Sequence, residues 1–209
     1  MNEAAHRPRL TPSMREGERV KPLELFFDLV FVLAITQCTA LIVARPSWGR
    51  LAEAVLVLAL LWWAWTGYAW LTSVVDPEEG AIRIALIAAM AALLLVALAV
   101  PGAFENNGLE FALAYTAVRA AHIALFVLAS RDDRGLRSSV LGVGAATAAG
   151  CALLVGGALL ETGPQVALWT LALALDMGEP YLASAESWRL VPAHFAERHG
   201  LIVIVALGE

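Results

Sequence analysis

Long apolar runs broken by short polar turns dominate this chain. A helix that crosses a bilayer needs about 20 mostly apolar residues at about 1.5 Å rise each. The pattern predicts such helices over residues 23–44, 51–75, 81–100, 109–129 and 138–160. A sixth, from about Gln165 to about Ala185, is less uniform, because Asp176, Gly178, Glu179 and Pro180 interrupt it and the proline should kink or break the helix. The seventh is expected to start near Gly200 and to stop at Glu209, only about halfway across. The expected fold is therefore an all-α polytopic transmembrane bundle of six spans plus a truncated seventh, read as a fragment, a truncated product, or half of an assembly.

Turn chemistry marks the joints. Arg45-Pro46-Ser47, Asp76-Pro77-Glu78-Glu79-Gly80, Pro101-Gly102 and Arg131-Asp132-Asp133-Arg134-Gly135 follow the first four spans. All connections are short, which leaves one transmembrane helical domain over residues 23–209, C-terminally truncated. Residues 1–22 are polar and arginine-rich and read as a retained, disordered cytoplasmic tail. They are not a cleaved signal peptide, since the apolar run that follows is too long and lacks a small-residue cleavage site.

Composition agrees with the pattern. The chain is 60% hydrophobic and only 16% charged, against roughly a quarter charged in a soluble domain, and a soluble core could not absorb that apolar surface. Arginine distribution predicts orientation. With the N-terminus inside, the inner segments hold Arg7, Arg9, Arg15, Arg19, Lys21, Arg83, Arg131, Arg134, Arg137, Arg189 and Arg198. The outer loops hold Arg45 and Arg50, and Arg119 falls within a span. A multi-pass membrane protein with a cytoplasmic N-terminus follows. Nucleic acid is not an expected partner, because no basic-aromatic surface is present. Cys38 and Cys151 both fall within spans and are read as small apolar packing groups.

Ionisable residues within spans need a partner or a purpose, since each costs about 3 kcal/mol on insertion scales. Glu24 and Asp28 are four apart on one face of the first span, and Arg119 and His122 are three apart on the fourth. Counting at about 1.5 Å per residue puts Asp28 about 8 Å, His122 about 10 Å and Arg119 about 15 Å from the inner side. Asp176 comes out at about 14 Å, Glu179 at about 10 Å and Glu209 at about 13 Å by the same count. One polar layer is expected, in which Arg119 can reach across to the acidic face of the first span. One reading is a static ion-pair network that holds helix registry. The other is an ion or proton site in which His122 exchanges protons with one or more of Asp28, Asp176 and Glu209.

Other motifs add less. Trp62, Trp63, Trp65, Tyr68 and Trp70 cluster away from the ends of the second span and read as packing, or as a pocket wall with a cation over an indole face. Gly142, Ala146 and Gly150 recur every four residues, a small-residue ridge suited to close helix approach and to a homo-oligomer. His194, Glu197 and His199 lack zincin spacing and a fourth ligand, so no metal is expected, and the segment reads as a solvated helix start. Catalytic serine, cysteine and phosphate-loop motifs are missing, so neither an enzyme nor a cofactor is expected.

Three blocks carry a family resemblance: the run from Glu24-Leu-Phe-Phe-Asp28 to Thr36-Gln37, the pair Arg119-x-x-His122, and the run His194-x-x-Glu197-Arg198-His199-Gly200 to Gly208-Glu209. They resemble the bacterial low-temperature requirement protein A family, LtrA, over Lys21 to Glu209. The resemblance implies a polytopic bacterial inner-membrane protein named for growth in the cold. It also implies relatives that continue past the last block through several more helices.

Overall fold

The structure, a computed structural model, describes residues 20–77, 80–130, 134–182 and 192–208. The predicted tail and Glu209 lie outside the described residues, as does the side chain of Glu179. Seven helices follow in order: α1 (Pro22–Ala44), α2 (Trp48–Val74), α3 (Gly80–Ala99), α4 (Gly108–Ala129), α5 (Arg134–Gly157), α6 (Thr162–Leu182) and α7 (Pro192–Gly208), with a 3-10 turn at Val100–Gly102 between α3 and α4. No strand is found among the described residues. Five helical stretches, Pro22–Ala44, Trp48–Ser73, Gly80–Gly102, Gly108–Ala129 and Val140–Gly157, are long and apolar enough to cross a membrane.

Local chemistry starts the helices where the breaks predicted. Pro22 occupies the first helical turn of α1, where its missing N–H costs nothing, and Glu24 accepts the Lys21 backbone N–H at 2.9 Å. Ser47 caps α2 by accepting the Arg50 N–H at 3.2 Å. α6 runs through Pro180 and ends two residues later at Leu182, so the proline sits in the last turn instead of interrupting the helix.

The largest departure is α7. It begins at Pro192, not near Gly200. Proline again suits a first helical position, and His194 and Arg198 of the segment that read as a solvated start are drawn in because α1 and α2 supply partners for them, while Glu197 stays exposed. His194 and Arg198 are buried, at 0% and 1% exposure.

Apolar side chains cover the outside of the bundle as well as filling its core. α1 presents Leu25, Phe26, Leu29 and Leu33 outward and buries Glu24 and Asp28; α3 likewise exposes Ile84, Ile87, Leu95 and Leu98. A lipid surround favours such broad apolar exteriors around a core that also encloses charged groups. α1 packs on α2, α3 and α7, α3 on α4, α4 on α5 and α5 on α6. Among the ridge glycines, Gly150 faces the Ala172 carbonyl and Asp176 of α6, whereas Gly142 has open space beside it. The bundle ends carry ion pairs, Lys21 Nζ to Asp76 Oδ1 at 2.5 Å at one end and Arg50 with Glu53 and Glu105 at the other.

Candidate functional site

The sequence places Glu24 and Asp28 one helical turn apart on α1, and His194 and Arg198 one turn apart on α7. The two helices meet with these pairs in matching order. His194 Nε2 lies 3.3 Å from the Glu24 carboxylate, and the Arg198 guanidinium donates through Nε to Asp28 Oδ2 at 3.2 Å and through its terminal nitrogen to Asp28 Oδ1. Because Glu24 precedes Asp28 as His194 precedes Arg198, α1 and α7 run parallel here. Arg198 also reaches Glu24 Oε1 at 3.5 Å and donates to the Thr72 hydroxyl of α2. The Trp65 indole N–H completes Asp28 at 2.7 Å.

Trp65 therefore does two jobs. Its N–H binds the carboxylate while the Arg198 carbon Cζ stands 5.8 Å from its ring centroid, the cation over an indole that the tryptophan cluster suggested. His199 packs edge-on against Trp65 at 4.6 Å, and its Nδ1 lies 2.8 Å from the Phe195 carbonyl. Thus His194 and His199 turn to different partners, one ionic and one aromatic.

A second centre joins α4, α5 and α6. Arg119 lies 3.3 Å from Asp176 Oδ1 and donates to the Thr147 hydroxyl at 2.9 Å, with all three side chains buried. The structure thus brings Asp28 to Arg198 and Arg119 to Asp176, instead of joining Asp28 to Arg119 in one layer. Depth counting located each residue along its own helix; it could not say which helices are neighbours.

His122 stands next to Tyr68, which reaches the α1 aromatics. Its ring centroid is 5.0 Å from Tyr68 and 4.9 Å from Phe126, and Tyr68 in turn packs on Phe27 at 4.7 Å. The Tyr68 hydroxyl donates to the Val118 carbonyl at 2.7 Å. His122 is buried against the Gly67 backbone, and neither ring nitrogen makes a well-aligned hydrogen bond among the described residues. Gly67 is what admits the imidazole, since a Cβ there would lie 2.7 Å from His122 Cε1. Gly67→Ala is expected to lower the thermal unfolding midpoint, costing about 1–3 kcal/mol by overpacking. Gly142→Ala, made where nothing crowds it, should leave the midpoint unchanged or raise it slightly in the same detergent.

Of the residues named from sequence, Glu24, Asp28, Arg119, His122 and Asp176 are buried between helices, and His194 and Arg198, not named as site residues there, are buried beside the first two. A signal was present: the four-residue spacing of His194 and Arg198 mirrors that of Glu24 and Asp28 with opposite polarity.

This fold and this interior define a multi-pass helical membrane protein with paired ionisable side chains between its helices. It belongs to the bacterial low temperature requirement A protein family (LtrA), which it matches over residues 19–209. It is similar to an uncharacterized protein of Rhizobium meliloti (strain 1021), with 34% identity over 197 residues, covering 89% of this chain and 48% of that protein. The chain thus spans about half the length of the curated relative it matches. No solved structure matches it.

Proposed function

We propose that this chain handles protons or small ions in a transporter or channel-like protein, with Glu24, Asp28 and His194 as its proton-exchanging groups and the Arg198 guanidinium as their fixed positive partner. Arg119, His122 and Asp176 form a second polar station, and Glu179 and Glu209 join the same reading through their sequence depth. The observation that carries it is the sealed Glu24–His194 contact beside the Asp28–Arg198 pair. The Glu24 carboxylate and the His194 imidazole stand 3.3 Å apart, close enough to exchange a proton, and histidine is the side chain whose ordinary pKa, about 6.5, lies where cells can change its charge. Intramembrane acid, base and histidine groups recur along proton paths. The setting is the bacterial inner membrane with the N-terminus cytoplasmic, supported by the arginine bias, and the protein is not an enzyme.

The test uses the chain reconstituted in vesicles with an entrapped pH dye. Proton uptake after a pH jump is expected for the wild type and lost in Glu24→Gln and His194→Gln, with helical content retained. Unchanged uptake in both variants overturns the proposal.

A second reading is a static or regulatory protein supporting growth in the cold. It is favoured by the closure of both arginines, each bound to a carboxylate and a threonine hydroxyl, Thr72 for Arg198 and Thr147 for Arg119. Under this reading the variants fail in stability and growth together, and no uptake occurs in the wild type.

A further inference from the structure

Between α3 and α4, on the outward face of the bundle, runs a groove of about 520 Å³ walled by Leu95, Leu98, Leu113 and Ala117. Its mouth is not apolar. Asn107 and Glu110, at the start of α4, line the end of the groove nearest the Arg50–Glu105 pair. Glu110 forms no ion pair among the described residues, because Arg45 and Arg50, the cations at this end, bind Glu105 and Glu53. The Asn107 side-chain amide makes no hydrogen bond there either, while its backbone N–H is spent on the Gly102 carbonyl.

From this arrangement we infer that the groove binds an aminophospholipid, the acyl chain lying along the α3–α4 walls and the ammonium on Glu110 and Asn107. From Glu110 to Ala117 the helix rises about 10 Å, which takes a chain from headgroup level into the hydrocarbon. A carboxylate at that level favours a cationic donor, and a primary ammonium offers three N–H groups where a trimethylated one offers none. The groove between α4 and α5 makes the contrast. At about 640 Å³ it is of similar size, but its lining, including Ala120, Ala124, Ala148 and Ala152, carries no charge. Its lining threonines, Thr116 and Thr147, offer no charge to favour an ammonium over another headgroup. This inference is independent of the proton-handling proposal.

The purified full chain in detergent is titrated with phosphatidylethanolamine, phosphatidylcholine and phosphatidylglycerol of identical acyl chains, and bound lipid is counted by native mass spectrometry. Phosphatidylethanolamine is expected to bind about tenfold better than phosphatidylglycerol, the scale of one charge-assisted hydrogen bond. Glu110→Gln, at an exposed position, should erase that preference, and Ala117→Leu should reduce binding of all three by filling the groove. Ala124→Leu in the other groove should change neither. Equal binding of the three lipids by the wild type, or a preference that survives Glu110→Gln, overturns the inference. Binding of free ethylammonium with the acyl chain dispensable overturns the lipid as occupant.

Discussion

Replacing Arg198 with alanine is expected to be among the most damaging single changes in this protein, lowering stability by about 3–5 kcal/mol, the cost of leaving a buried charge without its partner. Asp28 would keep only the Trp65 indole N–H and lie in a sealed interior, with Glu24 four residues away. α7 would also lose its main polar hold on the bundle, because it packs on α1 and α2 and Arg198 bonds to both. The measurement is the thermal unfolding midpoint in detergent, followed by the fluorescence of the indoles that include Trp65. Arg198→Lys should fall between wild type and alanine, since one ammonium cannot reproduce a fork that grips Asp28 twice and Thr72 once. Exchanging the pair, Asp28→Arg with Arg198→Asp, should recover part of the loss. Asp28→Arg with Arg119→Asp should recover none, because Asp28 pairs with Arg198 and Arg119 with Asp176. An Arg198→Ala midpoint equal to wild type would refute the pairing.

The second large effect is expected at the other centre, and it separates charge from shape. Asp176→Leu alone should destabilise by about 3–5 kcal/mol by stranding Arg119 between α4, α5 and α6. The double change Arg119→Met with Asp176→Leu should restore most of that loss, since a buried ion pair replaced by apolar groups of similar volume is often neutral or better. A double variant as unstable as the single one would mean that packing, not the stranded guanidinium, sets the cost. Combined with Arg198→Ala, the Asp176→Leu loss should add, because the two centres lie on different helices, α1, α2 and α7 against α4, α5 and α6. A strong coupling would point to transmission through His122, one turn from Arg119 on α4, and the Tyr68 ring of α2 that packs on it.

The apolar runs determined the helical membrane fold by themselves, because lipid leaves the backbone no alternative to internal hydrogen bonding and the span length follows from bilayer thickness. Helix boundaries through α4 fell within a few residues of the structure for the same reason. The candidate residues were legible too: an ionisable group in an apolar run announces itself by its cost, so Asp28, Arg119, His122 and Asp176 could be named without coordinates. What the tertiary structure alone decided was who meets whom. Depth along a helix follows from counting, whereas azimuth and neighbour follow from packing of side chains far apart in sequence, such as Glu24 with His194. The start of α7 belongs with the pairings, since a polar segment reads as solvated until a buried carboxylate pair on α1 gives its histidine and arginine somewhere to go.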